Sequence, residues 1–328
     1  MECKIVELIG PKKIIIKTVD LKKPEKNEIM AKTVYSAISP GTEIAAYKGD
    51  PPLRPSNPYP RLLGYCNLAE ITAIGEDVKN WNIGDKILTF QSHRSAFVCE
   101  EGDIIVKIPE EAKLMELSLT YLYHLGYNAL LKGDFKPGYN VAVIGLGTIG
   151  IGALALASLF GGNVYGISNQ KQSLTLANKL GAFPSNRKNV YNNLNKIPID
   201  LVITTSNTWD DWKLALKLTR KEGTIAVIGF PGRGMNLPQY NPLDSQYLYD
   251  KQLRIIGCGY SSDHKVEPHD IRFTRQRNMK YLHNLNLKRL LPSKELISGT
   301  YKYTDIKKAY EQLLNRESGV YTFIIDWS

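Results

Sequence analysis

Short apolar runs broken by turn residues fill the first 120 positions. Residues 14–19, 28–34, 68–74, 86–89 and 97–99 read as strands. Ser39-Pro40-Gly41, Gly49-Asp50-Pro51-Pro52, Gly75-Glu76-Asp77 and Gly84-Asp85 read as the corners between them. Many short strands with frequent breakers predict a small barrel or sandwich. Near residue 120 the texture changes. Apolar strands at 141–145, 164–168, 201–205, 224–229 and 253–258 alternate with helical stretches at 150–160 and 170–180. In the second helix Leu174, Ala177 and Leu180 share a face, and Gly181 supplies the stop. Thr208 with Asp211 forms a capping arrangement ahead of a helix over 212–218. Strands and helices in alternation predict a parallel sheet covered on both faces. After Pro268 a helix centred on 278–285 leads to a last strand at 319–325, a piece too small to be a domain and expected to return to the first one.

The sharpest chemical signal lies at the first of those βα junctions, Val-Ala-Val-Ile-Gly-Leu-Gly-Thr-Ile-Gly, residues 141–150. Gly145, Gly147 and Gly150 stand in the G-x-G-x-x-G spacing after a strand and at the opening of a helix, with Leu146, Thr148 and Ile149 between them. The first glycine permits the tight turn, the second lets backbone approach a pyrophosphate, and the third lets helix and strand pack closely. The helix N-terminus adds unpaired N–H groups and a positive dipole end. A structural glycine turn in some other α/β protein is the competing reading; the strand, helix and following βα units favour dinucleotide binding. A carboxylate about 20 residues on ordinarily holds the ribose 2′-hydroxyl of NAD. Ser168, Asn169, Gln170 and Lys171 occupy that place, so a hydroxyl, an amide and a cation replace the carboxylate. That set favours NADP(H), with NAD(H) the alternative and a solvated first-turn lysine the plainer reading of Lys171.

Composition changes this picture little. At 328 residues the length suggests about two domains at ~150 residues each, and 43% apolar with 23% charged residues excludes a disordered or collagen-like chain. Lys and Arg number 42 against 32 Asp and Glu, a net +10 that invites polyanions. The excess is scattered, as at Lys12, Lys13, Lys22, Lys23 and Lys26. Cys3, Cys66, Cys99 and Cys258 are far apart and form no C-x-x-C pair, which excludes a zinc knuckle and a disulfide framework and makes a reducing cytoplasm the default. The N-terminus lacks a signal-peptide core. Residues 139–170 carry no charge and are long enough for a membrane span. Two glycine clusters punctuate them, and a buried strand, turn and helix explain them better.

From end to end the chain resembles the medium-chain dehydrogenase/reductase superfamily. The resemblance rests on residues 37–43 (Ala-Ile-Ser-Pro-Gly-Thr-Glu), 59–78, 82–87, the glycine fingerprint and 223–232, which contains Gly229 and Phe230. It implies an α/β fold: a Rossmann doubly wound parallel sheet at 121–267 and a GroES-like β-barrel domain built from both chain ends, 1–120 and 268–328, with the site in the cleft between. It also implies a homodimer and a small-molecule substrate. Zinc-dependent members carry Cys in a C-G-x-D turn and a His-Glu pair after a glycine. Here Pro40, Tyr65 and Cys66 stand at those positions, the third ligand position falls near Tyr121, and the lobe for structural zinc is absent after Gly84-Asp85. Cys66 with His93 is the one pair left to try, too few for zinc. The resemblance therefore implies a zinc-free branch, similar to bacteriochlorophyllide-type secondary alcohol dehydrogenases, with Gly229 and Phe230 joining the cofactor site.

Without zinc, a general acid must serve the substrate oxygen. Thr42 matches the superfamily's proton-relay hydroxyl, Tyr65 replaces a ligand and offers a phenol, and His93 and Tyr121 lie near the expected pocket. Each has a plainer reading: Thr42 as a turn cap, Tyr65 as filler, His93 as a loop residue. His124 and His283 read as packing residues. Alcohol–ketone chemistry is the expected reaction, NADPH-dependent reduction of an activated C=C bond its nearest rival. A nucleic-acid binder on the same fold is the minor alternative, suggested by the charge and by the basic run at 261–280 (His264, Lys265, His269, Arg272, Arg275, Arg277, Lys280). Few aromatics interleave that run, which weakens a stacking platform.

Overall fold

Buried and exposed side chains alternate unevenly along β1 (Glu2–Gly10), which turns at Lys12 into the mostly exposed β2 (Lys13–Asp20). In this computed structural model, which describes residues 1–53, 57–259, 269 and 272–328, there follow β3 (Glu28–Ala37), α1 (Pro40–Lys48), β4 (Arg61–Leu62), β5 (Asn67–Ile74), β6 (Lys86–Thr89), β7 (Ala96–Glu100), β8 (Val106–Ile108), α2 (Leu114–Leu117) and α3 (Thr120–Lys132). The βα part comprises β9 (Asn140–Ile144), α4 (Thr148–Leu159), β10 (Asn163–Ser168), α5 (Lys171–Lys179), β11 (Phe183–Asn186), α6 (Val190–Leu194), β12 (Ile199–Thr204), α7 (Trp209–Leu218), β13 (Thr219–Val227), α8 (Ser245–Leu248) and β14 (Arg254–Gly257). The chain ends in α9 (Arg275–Leu287), α10 (Ser293–Leu296), β15 (Ile297–Lys302), α11 (Ile306–Asn315) and β16 (Thr322–Asp326).

Two units emerge: Met1–Tyr121 with Met279–Arg289 and Ser293–Ser328, and Leu122–Asn278 with Leu290–Pro292. The first is built on a mixed sheet ordered β15-β16-β3-β5-β6-β8, with β7 also paired to β3, and a smaller sheet ordered β2-β1-β4. Both chain ends contribute, since β16 lies antiparallel against β3 (Ile325 opposite Ser36). One core cluster joins Val6, Leu8, Ile38, Ile44 and Tyr47 to Ile306, Tyr310, Phe323 and Trp327. Each fully buried large apolar side chain there contributes about 1.5–3 kcal/mol.

The second unit carries a parallel sheet ordered β11-β10-β9-β12-β13-β14. This is the doubly wound 3-2-1-4-5-6 arrangement, whose switch point lies between β9 and β12. Strand β9 is buried on both faces, as parallel sheets require, and α4 is apolar all round. The uncharged stretch 139–170 is therefore a buried strand–turn–helix–strand, and no described helix is long and apolar enough to cross a membrane. Thr208 caps α7, its Oγ1 accepting from Asp211 N–H at 3.2 Å.

The Ser39-Pro40-Gly41 corner is instead the start of a helix. Pro40 at the first helical position has no N–H to satisfy and a pre-set φ, so Pro-Gly opens α1 rather than breaking a strand pair.

Candidate functional site

The glycine turn sits at the switch point of the parallel sheet. Gly145 has φ +93°, and a Cβ on it would lie 2.8 Å from Thr205 Oγ1. That hydroxyl donates to Gly145 O at 2.6 Å and, more weakly, to Ile144 O, tying the turn to the end of β12. A Cβ on Gly150 would overlap Gly145 O, whereas one on Gly147 would meet no protein atom within 4 Å. Leu146 and Thr148 are buried and Ile149 is half-buried, so the turn turns outward at the Gly147 backbone. Gly147 is also the N-cap of α4 and supplies no side-chain cap; the first helical bond is Ile151 N–H to Gly147 O. The N–H groups ahead of it are the donor set that a pyrophosphate takes at a helix N-terminus. Across the switch point Gly229 lets its segment pass Ser206 O, and Phe230 N–H is held by Asn207 Oδ1 at 2.8 Å with its ring exposed. At the end of β10, Ser168 is buried and its Oγ accepts from Gln170 N–H at 3.1 Å, while Asn169 and Lys171 are exposed. A dinucleotide fits these residues.

The other candidates gather in the first unit. Tyr65 follows Gly64 (φ +86°) and meets Tyr121 edge-on at 5.1 Å; Tyr121 in turn meets Phe90 at 5.2 Å. Burial, then the neighbouring Cys66 and Glu43, push the Tyr65 phenol well above its ordinary value, and the hydroxyls of Ser39 and Thr42 pull it partly back. The phenol therefore stays protonated across the ordinary pH range, as a donor must. Thr42 is exposed near the start of α1. It is not a turn cap, since Ser39 holds the N-cap position.

His93 corrects the expectation of an open-loop residue. It is fully buried, with Nδ1 2.7 Å from Ser36 Oγ and Nε2 3.1 Å from Glu43 Oε2, so both ring nitrogens are engaged and neither is free for a substrate. Its ring packs against Gly64, where a Cβ would come within 2.7 Å of it. Glu43, also buried, accepts from Ser39 N–H through Oε1 at 2.7 Å and from Tyr310 O–H through Oε2. Trp327 Nε1–H donates to Ser36 Oγ at 2.9 Å. Sequence reasoning missed Ser36, Glu43, Thr205, Tyr310 and Trp327. The usable signal for Glu43 was a carboxylate set in an apolar helix, Glu-Ile-Ala-Ala-Tyr.

These residues do not fit a zinc ion. Pro40 and Tyr65 offer no ligand, and burial, with Glu43 beside it, raises the Cys66 thiol well above its usual range, disfavouring the thiolate that zinc needs. Among the described residues no three His, Cys, Asp or Glu side chains converge as a metal cluster. In the basic run, His264 and Lys265 lie outside the described residues; Arg272 stands over the Phe273 ring at 5.5 Å, and Arg275 and Arg277 are half-buried in α9. His124 and His283 are buried.

Residues 148–275 match the family model described as zinc-binding dehydrogenase. The sorbitol dehydrogenase of Bacillus subtilis (strain 168) is 22% identical over 236 residues, which cover 60% of this chain and 65% of that protein. The chain thus spans about two thirds of that relative's length. Among solved structures, an alcohol dehydrogenase of Escherichia coli CFT073 complexed with NADH superposes with a TM-score of 0.80 at 17% identity, covering 99% of each chain. A protein of Sinorhizobium meliloti 1021 described as a zinc-binding dehydrogenase and bound to NADP does so with the same score, identity and coverage.

Proposed function

We propose that this chain, of the medium-chain, alcohol dehydrogenase-like superfamily, is a pyridine-nucleotide oxidoreductase that interconverts an alcohol and a ketone with NADP(H) and without a catalytic zinc. The observation that carries the reading is the glycine turn at the switch point, shaped so that only Gly147 opens outward. In this reading the backbone of Gly145–Gly150 and the first turn of α4 hold the pyrophosphate. Ser168, Asn169 and Lys171 take the ribose end, and Gly229 and Phe230 line the far side of the switch point. A cation on the first residue of α5 opposes the helix dipole, and an adjacent 2′-phosphate offsets that cost. Bound NADP(H) supplies the hydride donor or acceptor.

This chain's own part is the proton. Tyr65 donates its phenolic proton to the carbonyl oxygen as the alkoxide develops, and exposed Thr42 passes a replacement in from solvent. Oxidation runs the same transfers backwards. A phenol kept protonated serves an enolate equally, which favours C=C reduction as the second reading. A panel of ketones and enones with NADPH separates the two.

Nicotinamide fluorescence on titration with NADPH and NADH is expected to show micromolar NADPH binding, weaker for NADH. Binding of neither defeats the enzyme reading. Elemental analysis is expected to find well under one zinc per chain; activity that is lost to a chelator and returns with zinc defeats the metal-free reading. Tyr65→Phe is expected to lower kcat by ~10²–10⁴ with NADPH binding intact. A change under about threefold would return Tyr65 to packing.

A further inference from the structure

Every hydrogen bond to the Glu43 carboxylate points the same way. Trp327 Nε1 has a proton to give and no lone pair, so Ser36 Oγ accepts from it. Ser36 is completely buried, and among the described residues the one other partner of its hydroxyl is His93 Nδ1. With Ser36 donating there, His93 carries its proton on Nε2 and gives it to Glu43 Oε2. A doubly protonated ring would strand the Ser36 proton without an acceptor. Tyr310 O–H and Ser39 N–H complete the donors that converge on the carboxylate.

Glu43 thereby does unusual work at the start of α1. A serine at the N-cap ordinarily turns its hydroxyl onto the N–H groups of the first turn. Ser39 makes no such bond; Glu43 holds it by its backbone instead, and Ser39 Oγ is buried, completes no hydrogen bond among the described residues, and lies beside the Tyr65 phenol. Thr42, the residue before Glu43, brings the second hydroxyl to the same phenol.

We propose that Glu43, clamped by His93 and Tyr310, is a positioning residue that holds the Ser39 and Thr42 hydroxyls against the Tyr65 hydroxyl and so keeps that proton donor aimed. The catalytic half of this statement rests on Tyr65 being the donor; the geometric half does not. Glu43→Gln keeps the size, but in one amide orientation its NH2 faces the His93 and Tyr310 donors and in the other it faces Ser39 N–H. Tyr310→Phe is the milder variant, removing one hydroxyl from the clamp.

The measurement is the ¹³Cζ signal of Tyr65 in protein labelled at its 19 tyrosines, assigned by its loss in Tyr65→Phe. Glu43→Gln is expected to shift that signal, and Tyr310→Phe to shift it less and in the same direction. If Glu43→Gln does not fold, Tyr310→Phe decides. With NADPH and the best ketone or enone of the panel, Glu43→Gln is expected to lose roughly tenfold or more in kcat, with NADPH affinity within about twofold. Adding it to Tyr65→Phe is expected to cost nothing further, because the two act as one unit. A folded variant with an unmoved Tyr65 signal overturns the positioning. If instead Tyr65→Phe keeps its activity while the signal moves, the donor reading fails and the positioning stands.

Discussion

Two glycines three residues apart make opposite demands on a methyl group, and that contrast is testable. Gly147→Ala places a Cβ where no protein atom lies within 4 Å, so thermal stability is expected to hold. In the proposed reading the methyl takes space the pyrophosphate needs, so NADPH affinity is expected to fall roughly tenfold or more. Gly150→Ala drives its Cβ into Gly145 O, so both Tm and NADPH affinity are expected to drop. Fluorescence titration beside calorimetry separates the two variants; equal Tm losses would refute the assignment of open space to Gly147. Lys171 tests the ribose end proposed for the nucleotide. A charge-assisted contact to a 2′-phosphate is worth about 1.5–3 kcal/mol, so Lys171→Ala should weaken NADPH by about 10- to 150-fold and leave NADH alone. Equal effects on both nucleotides would reduce Lys171 to a solvated lysine.

The helix α7 is closed at both ends by side chains. Thr208 caps its start, and Lys251 Nζ donates to Leu216 O, Lys217 O and Thr219 O at its end. Removing the N-cap in Thr208→Ala is expected to cost about 1 kcal/mol. That lowers the Tm of the parallel-sheet unit by about 2–4 °C, read by calorimetry. The cap was legible because Thr208 and Asp211 are three residues apart, and the parallel strands were legible because burial on both faces leaves continuous apolar runs. Helix α1 was not, since Pro-Gly signals a turn and a helix start alike. Helix α11 carries its signal in the spacing of Ile306, Ala309, Tyr310 and Leu313, a stripe short enough to pass for part of the tail that leads to the last strand. In the candidate site, the glycine turn is a local motif and could be read off. The Trp327–Ser36–His93–Glu43 chain joins residues up to 291 positions apart, and nothing local in the sequence announces such a contact.

Among the described residues, two buried imidazoles contribute to the response to acid. Burial, with Arg275 adding for His124, lowers both His124 and His283 from the ordinary 6.5 to about 4. Between those values the unfolded chain binds protons that the folded chain does not, so stability is full near pH 7 and falls as pH drops through this window. Among the described residues, neither nitrogen of His283 has a hydrogen-bond partner. His283→Leu is therefore expected to narrow the fall in Tm between pH 7 and pH 5, and an unchanged fall would exclude His283 as a contributor. The pairing of β16 with β3, and of Trp327 and Tyr310 with the polar chain around Glu43, has a consequence for biosynthesis. Residues 122–278, all of the parallel-sheet unit but Leu290–Pro292, leave the ribosome as one segment with all six parallel strands, so that unit can begin to fold as soon as the segment emerges. The mixed-sheet unit must wait: its β3 has no β16, and Glu43 no Tyr310, until roughly 270 further residues have been translated, about 14–54 s at ~5–20 residues per second. Throughout that interval the strand edge and carboxylate stay exposed, which makes the nascent first unit the part of this chain most in need of a chaperone.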